Sequence, residues 1–223
     1  MCPMPAPANP NVTRPTRGRR TPRVSGDERE RSILATFEEL LQERALHEIS
    51  IDDIARGAGI SRPTFYFYFA SKEAVLLSLL ERMLAEAHST RGDTLERLAE
   101  DPAARLRESL TAYYDVFRGH RAVTLAGADA AASSAEVREM WAQVMEAWVQ
   151  ETAAAIEAER ARGAAPEGVP ARDLAIALLS MNERVFHNTF AGHAPAVAPD
   201  GVVDVLVPVW LSAIYGTTDP QRA

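Results

Sequence analysis

Apolar residues recur at intervals of three and four from about position 27 to the C-terminal end, and no stretch alternates long enough to read as a strand. Ile33, Leu34, Phe37, Leu40 and Leu41 form the first stripe, with Asp27 as its cap and Glu28 and Glu30 at the positive helix end. Ser50 and Asp53 read as a capping box ahead of Ile51, Ile54, Ala55 and Ala58, and Gly59 permits the positive φ that ends such a helix. Ser61 caps a third helix over 62–69, with Pro63 in its first turn, where the missing N–H costs little. Ser71 caps a fourth to about 90, with Val75, Leu76, Leu79, Leu80, Met83 and Leu84 inward. Asp101-Pro102 opens a fifth carrying Leu106, Leu110, Tyr113, Tyr114 and Phe117, which Gly119 ends. An Ala-rich helix follows over 122–132, and Ser134 caps a long one to about 162. Leu174, Leu178, Met181, Asn182, Val185 and Thr189 mark an eighth. Val203, Leu206, Val207, Trp210 and Ile214 mark a ninth, in which Pro208 predicts a kink. The pattern predicts an all-α fold of about nine helices.

The second and third helices, with a Gly-containing turn between them, have the grammar of a helix-turn-helix whose second helix meets base edges. Phe65 to Phe69 are five consecutive aromatics, too many for one stripe of a two-turn helix. Phe65 and Phe69, four apart, suit the core, with Ile60 between the helices. Tyr66 and Tyr68 carry hydroxyls that reach phosphate oxygens. Thr64 and Tyr66 are the leading groove contacts. Ser50, Ser61, Arg62 and Lys72 stand beside them as backbone contacts, Lys72 placing a cation next to the duplex.

Charge sharpens this picture. The net charge of −7 says nothing of nucleic acid, but residues 1–72 hold 11 Lys and Arg against 9 Asp and Glu, whereas 73–223 hold 13 against 22. Residues 1–26 are Pro-rich, lack periodicity and read as a disordered basic arm; Arg14, Arg17, Arg19, Arg20 and Arg23 give it five positive charges and no acid. It reads either as an arm laid along phosphates or the minor groove, with Arg19 and Arg20 in contact, or as a solvated tail. Its position beside the helix-turn-helix favours the arm. The single cysteine, Cys2, allows no intrachain disulfide, and no run reads as a signal peptide or membrane span. These features predict a cytoplasmic protein.

The block from Ser50 to Lys72 resembles the DNA-binding domain of TetR-family repressors, whose usual run is T-x-D-D-I-A-x-x-A-G-I-S-R-x-T-x-Y-x-Y-F-x-S-K-E, with Ser50 here where Thr is common. Further runs carry the likeness: Arg17-Gly18-Arg19-Arg20-Thr21, Ala58 to Phe69 and Ser71 to Leu77 in front, then Ala158-Glu159-Arg160, Arg162 to Pro166 and Met181-Asn182-Glu183-Arg184. It extends from about Arg17 to Tyr215, specific in front and looser behind. The resemblance implies a helix-turn-helix DNA-binding domain over 27–72. It also implies a ligand-binding and dimerisation domain over 73–223, whose last two helices pair in a four-helix bundle. The implied function is that of a ligand-responsive repressor, bound as a dimer to a near-palindromic operator and controlling a monooxygenase gene. No cofactor or metal is implied.

Asn182 interrupts an apolar stripe, and a buried amide without partners costs about 1–3 kcal/mol. Either a core backbone group or a ligand satisfies it. Tyr113, Phe117, Trp141, Met145, Trp148, Thr152, Phe186 and Trp210 supply aromatic and apolar walls from several helices, a composition suited to a small apolar effector. The resemblance implies a long apolar tunnel here, with Asn182 as a polar wall residue. Three departures bear on its selectivity. Leu106 stands in place of a tryptophan, Leu179 of a second asparagine and His187 of an aromatic. Two other classes compete. An enzyme reading finds only the Glu183–His187 pair, one helical turn apart, with no nucleophile motif, phosphate loop or metal spacing among His47, His88, His120, His187 and His193. An apolar-ligand carrier without DNA binding would leave the helix-turn-helix unexplained.

Overall fold

The computed structural model describes residues 26–220, and among these it contains nine α-helices and no strand. They are α1 (Gly26–Glu43), α2 (Ile51–Gly57), α3 (Arg62–Tyr68), α4 (Lys72–Arg91), α5 (Pro102–Gly119), α6 (Arg121–Ala131), α7 (Ala135–Ala161), α8 (Ala171–Ala191) and α9 (Val202–Tyr215). Capping decides most of the starts. Ser50 Oγ accepts from the Asp53 N–H at 3.2 Å while the Asp53 carboxylate accepts from the Ser50 N–H at 3.1 Å. Ser61, Ser71, Asp101 and Ser134 likewise accept from the third residue onward, opening α3, α4, α5 and α7. Gly59, at φ 66°, makes the turn between α2 and α3.

Two expectations change. Asp27 lies inside the first turn of α1, which begins at Gly26, and there it meets the positive helix end rather than capping it. The third helix stops at Tyr68, where Phe69 turns extended while its N–H still bonds Phe65 O. α9 continues through Pro208 to Tyr215, its apolar side buried on the body. Periodicity also missed a 3-10 turn at Leu46–Glu48, too short to show a repeat.

α1, α2 and α3 enclose a small core of Ile33, Phe37, Ile54 and Phe65, each with no exposed surface. α2 comes close to α1 because Gly57 has no side chain. A Cβ built there would lie 2.4 Å from Thr36 Cγ2, closer than atoms tolerate. The N-terminal half of α4 completes this core with Val75 and Leu76, and the rest of α4 packs on α5 and α6 in the body. α7 lies along α8, and α5 along α9.

Two polar clusters fasten these layers. Glu159, buried near the end of α7, accepts from Tyr215 Oη at 2.8 Å and is clasped by the Arg162 guanidinium, which joins the ends of α7 and α9. Between the small core and the body, His120 at the α5–α6 corner bonds Glu38 of α1 through Nδ1 at 2.5 Å and Glu86 of α4 through Nε2 at 3.3 Å. Partial burial acts to lower the His120 pKa, but its bonds to the two carboxylates outweigh that and raise it above 6.5.

Gly57→Ala should therefore destabilise the chain by about 1–3 kcal/mol through overpacking against Thr36. Thermal melting should show the loss, and adding Thr36→Ser, which removes the offending methyl, should restore most of it. His120 makes the second test. A raised folded pKa means its stabilisation is fully present below the unfolded value and is lost as pH rises through the folded one. Melting temperatures should hold level below about pH 6.5 and fall as pH rises above it, and His120→Gln should remove that part of the profile.

Candidate nucleic-acid interface and ligand cavity

α3 turns Phe65 inward, Phe69 follows it into the core just past the helix end, and Tyr68 packs half-buried against the same core. Tyr66 is 46% exposed and stands edge-on to Phe65 at 5.7 Å. Its hydroxyl accepts from Arg62 Nη2 at 3.3 Å, and the Arg62 guanidinium also pairs with Asp52 at 2.9 Å and sits 5.8 Å above the Tyr66 ring. Thr64 and Tyr68 are half-buried. The hydroxyls of Ser50 and Ser61 are occupied by capping: Ser50 Oγ also donates to Asp53 at 2.7 Å, and Ser61 Oγ lies 2.8 Å from Thr64 Oγ1. The Ser50 hydrogen bonds, more than the nearby arginines, hold the Asp53 carboxyl below its ordinary pKa.

Lys72 is placed differently from its sequence expectation. Its ammonium points back into the protein, donating to Leu46 O at 2.8 Å and Ile49 O at 2.9 Å. It therefore ties the start of α4 to the turn before α2, which buried carbonyls require. Arg19 and Arg20 lie outside the described residues. Patterning overlooked Phe67, the most exposed large hydrophobic side chain among the described residues at 83%. Helical spacing does reveal it: it lies opposite Phe65 and Phe69 and one turn from Pro63 and Thr64.

The second site is a cavity of about 660 Å³ between α4, α5, α6, α7 and α8. Tyr113, Phe117, Trp141, Met145, Trp148, Asn182 and Phe186 line it, as expected. Trp148 is the hub: its ring meets Tyr113 at 4.9 Å, Trp141 at 6.1 Å and Phe117 at 6.3 Å. Thr152 and Trp210 do not line it. Thr152 is buried one turn beyond Trp148, and Trp210 stands behind Asn182, donating from Nε1 to Asn182 Oδ1 at 3.1 Å. A core side chain thus satisfies the Asn182 oxygen, and its amide nitrogen remains as the donor. Patterning missed the walls from α4 and α6, where Leu80, Met83 and Gly127 contribute. Gly127 was the available signal, a buried glycine within a helix, where a Cβ would lie 2.7 Å from Leu80 Cδ2. Of the three departures, Leu179 and His187 line the cavity, whereas Leu106 is buried outside it.

Tyr113 has a second neighbour. The Arg91 guanidinium, 6% exposed at the last turn of α4, lies 5.7 Å from its ring and pairs with Glu151 of α7, with His88 3.8 Å from the same carboxylate. Arg91 Nε is buried without a partner among the described residues. Burial pushes the Tyr113 hydroxyl up to about 12, against the pull of Arg91 and with a push from Glu151. Among the described residues no group of three or more His, Cys, Asp or Glu converges as a metal site, and no helix is long and apolar enough to cross a membrane.

Two family patterns match the chain, one in front and one behind. The pattern described as "Bacterial regulatory proteins, tetR family" matches residues 33–79, and "Transcriptional regulator EthR, C-terminal domain" matches 106–216. The HTH-type transcriptional regulator EthR of Mycobacterium tuberculosis is 53% identical over 205 residues, covering 90% of this chain and 93% of that one. EthR of Mycolicibacterium smegmatis is 49% identical over 205 residues, covering 92% and 94%. In fold the chain is similar to a putative TetR-family regulator from Syntrophomonas wolfei, at TM-score 0.67 and 22% identity, covering 84% of this chain and 95% of that one. With a helix-turn-helix in front, an aromatic cavity behind and this identity along nearly its whole length, the chain belongs to the TetR family of DNA-binding transcriptional regulators, with a C-terminal domain of the EthR type.

Proposed function

We propose that the chain is a ligand-responsive repressor that binds a near-palindromic operator as a homodimer and is released by a small apolar effector. The observation that carries this reading is the sharing of α4. Its first residue, Lys72, grips the helix-turn-helix, its middle residues Leu80 and Met83 line the cavity, and its last, Arg91, lies against the cavity-wall residue Tyr113. A ligand that reshapes the aromatic wall differs in affinity between two positions of α4, which is what a population shift needs. The exposed Ile176 of α8 and Val205 and Val209 of α9 offer an apolar face for a second copy. The proposed division is a basic arm over 1–26 with Arg19 and Arg20 on the duplex, a DNA-binding domain over 27–72 and an effector and dimerisation domain from 73 onward. EthR-type likeness supports a monooxygenase gene as target, and DNA binding supports a place in the cytoplasm.

Footprinting on the DNA upstream of the chain's own gene, and on a genome-wide fragment pool, tests the reading. A protected palindrome is expected, with log affinity falling against log salt by about 0.9 for each phosphate neutralised. Absence of protected sites in both would sink it. Tyr66→Ala should weaken binding about tenfold with an unchanged melting temperature, the loss of an exposed phosphate contact. Lys72→Ala should weaken it while also lowering the melting temperature, because two carbonyls lose their donor.

Coupling between the sites has its own test, with the neutral fluorophore N-phenyl-1-naphthylamine as probe. Trp148→Ala should reduce probe binding directly. Glu151→Gln, which removes the charge facing Arg91, should leave probe binding within about twofold while reducing the release of DNA that the probe causes. Unchanged release would show that coupling runs elsewhere.

A further inference from the structure

An apolar ring left 83% exposed on the helix that reads DNA forgoes the burial that aromatic side chains ordinarily gain, unless something covers it. Phe67 is such a ring. It neither donates nor accepts a hydrogen bond, so it has no use for phosphate oxygens or for the polar edges of bases. Its only described ring neighbour is Tyr68, edge-on at 5.2 Å, which steadies the side chain from one side.

The rest of the outer face of α3 points the same way. Its sequence, Arg-Pro-Thr-Phe-Tyr-Phe-Tyr, contains no Asn, Gln or Lys, the residues that with Arg make most hydrogen bonds to base edges. Arg62, its one cation, is held by Asp52 and by the Tyr66 hydroxyl. The Thr64 hydroxyl is paired with Ser61 Oγ, which leaves its methyl group for contact. Pro63, Thr64 and Phe67 lie within one turn of each other, so the face offered to the groove is mainly hydrocarbon. The major groove presents one apolar feature that depends on sequence, the C5 methyl group of thymine.

We propose that Phe67 is a specificity-determining residue that reads a thymine methyl in each operator half-site. The proposal rests on DNA binding through α3 and adds what that helix distinguishes. Specificity then comes from hydrocarbon contact, and a guanine-reading arginine is not needed on α3.

The test uses the full chain and a duplex selected by it from a random-sequence pool. Each thymine of that duplex is replaced in turn by deoxyuridine, which removes the methyl group and leaves pairing intact. One position per half-site should weaken binding about fourfold, the value of burying one methyl-sized group. Phe67→Ala should fold normally, bind the parent duplex more weakly and lose that sensitivity, and Phe67→Leu should keep part of it. Selection repeated with Phe67→Ala should lose the thymine preference at that position alone. The proposal is overturned if no thymine methyl matters to the wild type, or if Phe67→Ala keeps the same sensitive position. It is equally overturned if Phe67→Ala changes the oligomeric state in sedimentation instead of the sequence preference. Failure of the wild type to select any duplex would strike at DNA binding itself, an outcome distinct from methyl-indifferent binding.

Discussion

A lysine ammonium held by two backbone carbonyls sets the position of the DNA-reading unit on the body. Lys72 bonds Leu46 O and Ile49 O at the mouth of α2 while belonging to the first turn of α4. The charge sits at the unfavourable, positive end of its helix, so the carbonyls must supply compensation that a neutral residue would not need. The arrangement is therefore specific: a small slide of α4 breaks short charge-assisted bonds rather than deforming them gradually. At the far end, about 30 Å away for a helix of this length, Arg91 lies 5.7 Å from the Tyr113 ring and pairs with Glu151. A rigid element with a polar grip at each end can occupy discrete positions, and that is the requirement for signalling through a packed interior.

His120 adds a third fastening beside this bar. It bonds Glu38 of α1 and Glu86 of α4 at once, so the corner of α5 and α6 touches both of those helices. These bonds are polar and partly exposed, whereas the buried apolar residues of the small core and of the body form one continuous cluster through α4. Movement between the two parts has to repack that cluster as well as exchange the polar bonds.

The helical frame was legible because every strong signal in it is local. Ser50, Ser61, Ser71, Asp101 and Ser134 cap where their spacing says they should, and the stripes of α1, α4 and α5 are buried as written except Leu40, which is half-buried. The front of the cavity was legible too, since Tyr113, Trp141 and Trp148 are large rings on helical faces. The misreadings concern groups whose partners are distant along the chain. Lys72 reads as a surface cation until the carbonyls of Leu46 and Ile49, more than twenty positions away, come beside it. Trp210 reads as a wall until its indole N–H is seen to hold Asn182 from behind. Thr152 shares the face of Trp148, but the cavity ends before reaching it. Phe67 went unassigned for another reason: five aromatics in a row say only that some rings face out, and the helical angle separates the one that does.

That outward ring bears on how affinity and selectivity divide over the chain. Phosphate attraction is long-ranged, indifferent to sequence and weakened by salt. Residues 73–223 carry nine more acidic than basic side chains, which keeps most of the surface from binding DNA unselectively. The five arginines ahead of α1 are where the sequence concentrates its positive charge. The reading helix spends its one cation on Asp52 and Tyr66 and turns hydrocarbon outward. Hydrocarbon contact acts only at touching distance and gains little from low salt. In such a division charge brings the duplex in at any sequence, and the short-range face decides whether it stays. Discrimination should then persist as salt rises while total affinity falls.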